Sequence, residues 1–462
     1  MRKLLPIICF VLAAAFVLFA GADGAVAVML TLAVALLILF VIRVWFPEYA
    51  GPLTDLFLIA LIARLVFGLI VHIADARDSF GGDAQTYDFF GWALMRREFG
   101  YDLSSELARH LENRNNSVGW GMYYLVAALY AVIGRNILAA QSFVATIGAA
   151  TAPVIFLCSR RIFSNDRTAL IAGYAVALFP ALVVWSGQLL KDGLVIFFLV
   201  VSMTIGMKLR ERMNVRLLIL LGISLFGIFA LRSYIFYMAC VAIVGMFVVP
   251  IGGSNKAIVA RIFVLSILGL AATYLIDVPV AETDLGRFTD LERIQVSRED
   301  LSRAGSGFGE DIDVSTTQGA IQALPVGFTF LMLAPFPWQI TSMRAAAALP
   351  DMLIWWLSLP FLVAGLIYSV KHRLSESLGL LVFSGMLTLA YSVFQGNVGT
   401  AYRQRTQIQV FLFIFTAVGV ALQLEKRENR KLIRQARRRE IEQNYRERER
   451  LRVEGGVGAV DN

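Results

Sequence analysis

Stretches of about 17–22 apolar residues follow one another along most of this chain, each long enough to cross a ~30 Å hydrocarbon layer as a helix. No water reaches that layer, so each amide must be satisfied within its own helix, and an all-α polytopic bundle follows. Composition agrees. Of 462 residues, 58% are hydrophobic and 16% charged, with a mean hydropathy of +0.68, a balance that a soluble globule of this size does not keep in solution.

Cys9, Cys158 and Cys240 all lie in apolar runs, which predicts structural thiols rather than a disulfide or metal framework. With only His72, His110 and His372, a histidine-rich metal site is not expected. No cofactor is assigned, and the sequence gives no support to a divalent metal. The net charge of +8 raises the question of nucleic acid, but residues 425–462 hold 12 Lys/Arg against 8 Asp/Glu and so carry +4 of it. That tail reads as a solvated cytoplasmic helix beside anionic head groups, with no nucleic-acid partner implied. Met1-Arg2-Lys3 and Ala25-Val26-Ala27 imitate a cleaved signal, yet a second apolar run begins at once, which favours a retained first span.

Counting every run as a span gives fourteen helices and puts Arg160, Arg161, Arg167, Lys208, Arg210, Arg212 and Arg216 outside, against the positive-inside rule. Two runs are weak: 119–134 is short and Tyr/Trp-rich, and 324–338 is broken by three prolines. Read as interfacial, they leave about twelve spans (ten to fourteen fit the runs). These lie near 4–20, 25–46, 54–74, 137–158, 168–186, 193–209, 215–231, 234–250, 258–276, 351–370, 376–394 and 406–424, with both termini cytoplasmic. The segments then fall out as an N-terminal pair (1–53), a membrane module (54–276) with outer loop 75–136, an outer loop (277–350), C-terminal spans (351–424) and the tail (425–462). No internal repeat is visible, which weakly disfavours a repeat-built transporter.

Lys/Arg placement in the inner loops supports this topology, which also brings unusual polar residues to the outer face. Gly81-Gly82-Asp83-Ala84-Gln85-Thr86-Tyr87-Asp88 follows the third span, and partial desolvation at the lip of the bilayer would make Asp83 a better proton acceptor. The bland reading makes Asp83 the cap of a following helix. Lys191-Asp192 opens the sixth span after Trp185-Ser186, as a functional pair or an interface anchor. Arg232 and Tyr234 stand where two spans meet with almost no loop, and Arg232 either clamps a phosphate or snorkels. Arg403 and Arg405 in the last outer loop (395–405) defy the charge bias and suit phosphate recognition. Arg64 lies mid-span, and its charge must face a polar interior; a structural role for it and for His72 is expected.

The residues Gly82-Asp83-Ala84-Gln85-Thr86-Tyr87, with Pro180, Trp185-Ser186 and Lys191-Asp192 in order, resemble GT-C-type polytopic glycosyltransferases, nearest the protein-mannosyltransferase-like and aminoarabinose-transferase-like branches. The likeness covers roughly 54–250, with 395–405 similar to the arginine-bearing outer segment of polysaccharide-assembly enzymes. It implies a GT-C-like fold with interfacial helices in the outer loops and a polyprenyl-phosphate or polyprenyl-diphosphate sugar as donor. It further implies Asp83 as catalytic base, Asp192 as second acidic site, and Tyr87, Lys191, Arg232, Tyr234, Arg403 and Arg405 as substrate-binding residues. The implied acceptor is a glycan, lipid or protein at the outer face of a bacterial inner membrane. Some branches of the family need a metal and others do not. A polysaccharide polymerase or ligase is the alternative within enzymes, and a flippase or transporter of lipid-linked glycans the alternative outside them.

Overall fold

A computed structural model describes residues 4–80, 82–115, 119–248, 290–303, 306–309, 312–339 and 348–457. Among the described residues the chain is helical without strands, as an all-α membrane protein requires. The first helix, α1 (Leu5–Trp45), holds two expected spans. Gly21 breaks it with φ 56°, a left-handed conformation that glycine adopts readily. Beyond that break a Cβ on Gly24 would lie 1.9 Å from the Phe16 carbonyl oxygen. Residues eight apart in a straight helix are about 12 Å apart, so α1 is a hairpin of two legs. Asp23 at its tip accepts from Asn136 Nδ2 at 3.2 Å.

The chain continues through α2 (Ala50–Ile73), α3 (Asp83–Glu98), α4 (Ser105–Asn115), α5 (Gly121–Ile133), α6 (Ile137–Ala149) and α7 (Thr151–Phe163). Next come α8 (Asp166–Leu178), α9 (Pro180–Ser186), α10 (Lys191–Glu211), α11 (Val215–Leu231) and α12 (Ser233–Val248). After the segment 249–289, which lies outside the described residues and contains the expected span 258–276, follow α13 (Leu291–Ser302) and α14 (Thr317–Leu333). The chain ends with α15 (Leu349–His372), α16 (Leu374–Phe394) and α17 (Val398–Val457).

Among the described residues seven helices are long and apolar enough to cross a membrane: Leu5–Trp45, Pro47–Ile73, Ile137–Phe163, Lys191–Glu211, Leu349–His372, Leu374–Phe394 and Val398–Gln443. An eighth is the pair α8 and α9, bent by 53°. The other expected spans with described helices, α11 and α12, have 17 and 16 residues and fall short of the roughly 20 that a perpendicular crossing uses. The two runs set aside as interfacial form α5 and α14. The first packs on α3, where a Cβ on Gly91 would lie 2.5 Å from Val126. The second packs on the end of α16, where a Cβ on Gly327 would lie 1.7 Å from the Ser392 carbonyl oxygen.

The bend between α8 and α9 has a chemical origin. Pro180 has no N–H, so the Val176 carbonyl loses its helical donor. The Ala181 N–H goes to Asp351 Oδ1 at 3.0 Å instead of the Ala177 carbonyl. Both stranded acceptors are met by the mid-span arginine: Arg64 Nη2 donates to Val176 O (3.4 Å), Nη1 to Ala177 O (3.1 Å), and Nε to Ser186 Oγ (2.7 Å). Its partners are thus backbone carbonyls and a hydroxyl, and its role is structural.

The helices sort the charges between two ends. At one end Arg160 lies 4.4 Å from the Tyr49 ring centre and Lys208 4.9 Å from that of Phe46. There too Arg161 pairs with Glu211, Arg210 bonds the Ser375 carbonyl, and Arg167 grips Glu428 of α17 through two 2.9 Å bonds. The basic loops and the root of the tail therefore share one end, and Asp23, Asn136, Asp83 and Asp192 lie at the other.

Candidate functional site

Four elements far apart in sequence converge at that second end. Asp83 is the first residue of α3, and Gly82 rather than Asp83 occupies the cap position. No side chain caps this helix, so the bland reading of Asp83 fails locally. Its carboxylate reaches across the bundle to α17, where Arg403 Nη1 donates to Asp83 Oδ2 at 2.6 Å.

Asp192 lies in the first turn of α10, where a carboxylate faces the positive end of the helix dipole. It is fully buried and held by two arginines. Arg403 donates to its Oδ2 through Nε at 2.8 Å and Nη2 at 2.6 Å, and Arg232 Nη2 donates to its Oδ1 at 2.8 Å. An isolated charge in such a place is prohibitively costly; paired and hydrogen-bonded, it is tolerated. Arg232 ends α11 in extended backbone (φ −155°, ψ 91°), which swings its guanidinium inward between α11 and α12.

The network runs on from Arg232. Its Nη1 donates to Tyr234 Oη at 3.2 Å, the Tyr234 and Tyr391 hydroxyls are 2.9 Å apart, and Tyr391 donates to Gln407 Oε1 at 2.7 Å. Arg403 also lies 5.4 Å from the ring centre of Trp185, carried into place by the bent α9. Tyr87, one turn after Asp83, is buried against Tyr123 with ring centres 5.5 Å apart. Burial, reinforced by the charge of Asp83, pushes the Tyr87 hydroxyl well above its ordinary pKa, so it stays a neutral donor.

Lys191 precedes Asp192, and its ammonium feels Arg232, Asp192, Arg403 and Asp83. It approaches Gly119, where a Cβ would stand 2.6 Å from Nζ; with φ +84° and that approach, the position suits glycine. The structure thus gathers Asp83, Tyr87, Lys191, Asp192, Arg232, Tyr234 and Arg403. It does not bring Arg405 to them. That guanidinium is fully buried on the far side of α17, donating to the carbonyls of Leu331 (3.3 Å), Met332 (3.1 Å) and Ala334 (2.9 Å). A stretch expected as loop, 398–405, is the start of α17, and residues two apart on a helix point nearly opposite ways. Asp88 also turns aside, accepting from Tyr130 at 2.6 Å and Arg135 at 2.5 Å.

The start of α17 is clamped by α13 and the residues that follow it. Phe308 N donates to Gly396 O at 2.8 Å, Val398 N to Ser306 O at 2.9 Å, and buried Arg298 Nη1 to Val393 O at 2.9 Å. Sequence reasoning missed Tyr391, Gln407 and Arg298: the first two lie inside apolar runs, and the third in a loop of mixed charge. Among the described residues no group of three or more His, Cys, Asp or Glu comes together as a metal site.

Residues 60–280, just under half of the chain, match the family model described as dolichyl-phosphate-mannose-protein mannosyltransferase. The match bears out the resemblance to GT-C-type polytopic glycosyltransferases. Asp83, Asp192, Arg232 and Tyr234 fall within the GT-C stretch, and Arg403 joins them from beyond it. The coarse activity that comes with this family is sugar transfer within a membrane from a lipid-linked donor. No curated protein matches the chain.

Proposed function

We propose that this chain transfers a sugar from a polyprenyl-phosphate or polyprenyl-diphosphate donor to a hydroxyl of a cell-surface glycan, lipid or protein. In this reading the cluster faces the outer side of a bacterial cytoplasmic membrane. The basic loops at the opposite end, with the tail, support that orientation through the positive-inside rule. The observation that carries the reading is the 2.6 Å contact between Asp83 of the first outer loop and Arg403 of the last, with Lys191 and Arg232 beside them.

Asp83 takes the proton of the acceptor hydroxyl. The resulting oxygen attacks the anomeric carbon, and the bond to the lipid phosphate breaks with its electron pair going to the phosphate. Lys191, Arg232 and Arg403 meet the charge that grows there; fixed donors of this kind are each worth about 3–4 kcal/mol in comparable sites. Asp192 is buried, with both carboxylate oxygens engaged by guanidinium groups, and serves in this reading to hold the two arginines rather than to move a proton.

The test is direct. Purified protein in lipid nanodiscs is given radiolabelled polyprenyl-phosphate sugars and a cell-envelope extract. Release of free polyprenyl phosphate together with label in a macromolecular acceptor is expected, one sugar per acceptor site. Label carried across vesicle membranes without release of polyprenyl phosphate would replace transfer with transport. Long labelled chains would replace it with polymerisation.

A further inference from the structure

We infer that the donor phosphate binds to Arg403 in the place now held by Asp83, so that donor binding itself frees the base. The inference rests on the sugar-transfer reading and concerns the order of events in that site.

The three nitrogens of Arg403 are divided unequally. Nε and Nη2 hold Asp192, and Nη1 holds Asp83. The Asp192 side chain is 0% exposed and also carries Arg232, whereas that of Asp83 is 47% exposed and, among the described residues, bonds Arg403 alone. Removing a buried, doubly paired carboxylate from its partners is costly, and releasing a half-exposed one is cheap. Asp83 is therefore the arm that exchanges.

Charge supplies the second reason. Lys191, Arg232 and Arg403 face Asp83 and Asp192, an excess of one positive charge, and Lys191 makes no ion pair among the described residues. A phosphate placed between Arg403 Nη1 and the Lys191 ammonium takes up that excess and displaces the exchangeable carboxylate. Before exchange, the Asp83 carboxylate is engaged by the Arg403 guanidinium and is not available to an acceptor hydroxyl. Afterwards Asp83 is free at the lip of the site. The proton-accepting state then belongs to the donor-loaded protein, and the acceptor hydroxyl is activated only after the donor has bound.

The experiment measures binding of sugar-free polyprenyl phosphate to the full-length protein in nanodiscs, by native mass spectrometry. Asp83→Asn removes the competing anion and is expected to tighten binding about two- to fivefold, the range that a half-exposed ion pair supplies. In an Arg403→Gln background the same change is expected to give no gain. If Arg403→Gln does not survive purification, Arg403→Lys replaces it, and the gain is expected to shrink. Equal or weaker binding by Asp83→Asn, or a gain undiminished when Arg403 is altered, overturns the exchange while wild-type binding keeps the function intact. No binding by wild type and variants alike overturns both.

Discussion

Arg403 and Asp83 stand 320 residues apart in the chain and 2.6 Å apart in the fold. One belongs to the helix that leads into the tail and the other to the first large loop, so their contact fixes that both segments lie at the same end of the bundle. The two carboxylates of the cluster differ in their surroundings: Asp83 is accessible and paired with Arg403, Asp192 enclosed and paired with both Arg232 and Arg403.

Asp192→Ala is expected to act first on folding. It leaves Arg232 buried without its carboxylate and Arg403 with Asp83 alone, a loss of about 3–5 kcal/mol for a broken buried pair. Reduced yield and a lower melting temperature in detergent check it. Asp192→Asn, which keeps the shape and one acceptor, is expected to fall between wild type and alanine.

Arg405→Ala and Arg403→Ala are expected to differ in kind. Arg405 caps three carbonyls near the end of α14, so its loss strands buried acceptors at about 1–3 kcal/mol each and lowers thermal stability. Arg403→Ala is expected to abolish transfer while shifting the melting temperature less, because Arg232 still holds Asp192. Thermal shift and transfer assays on the same preparations separate the two.

That difference marks where the sequence stops being informative. Charged residues beside apolar runs are anomalous, which made Asp83, Asp192, Arg232 and Arg403 visible before any coordinates. Arg405 carries the same anomaly, and only the early start of α17 shows that it faces away from Arg403. Tyr391 and Gln407 were hidden because a polar atom inside an apolar run has no period to betray it. The two apolar runs near 4–20 and 25–46 called for two spans, whereas the turn at Gly21 and the close approach at Gly24 that make α1 a hairpin show only in the fold. Arg64 was visible as a charge in need of partners. The partners, two carbonyls freed around Pro180, follow from the packing of α2 on α8 and not from any local pattern.

Arg64→Leu is expected to destabilise the bend, leaving the Val176 and Ala177 carbonyls unpaired at about 1–3 kcal/mol each. Pro180→Ala in the same chain restores an N–H facing Val176 and is expected to recover part of the loss. Recovery in the double variant, and none from Pro180→Ala alone, is checked by thermal denaturation.

The pH dependence of transfer carries a further expectation. Because burial holds the Tyr87 hydroxyl above its ordinary range, its proton stays on as pH rises through the alkaline region in which a free tyrosine titrates. Any alkaline limb in the rate therefore belongs to another group, and Tyr87→Phe is expected to leave its midpoint unchanged. A shift of that midpoint in the phenylalanine variant would contradict it.

The most direct measurement is the single-turnover rate of transfer from a polyprenyl-phosphate sugar by Asp83→Asn, with donor binding followed in the same preparation. A positioned general base contributes about 10²–10⁴-fold, so the account predicts a rate lowered by at least about a hundredfold with donor still bound. Transfer at the wild-type rate would contradict it.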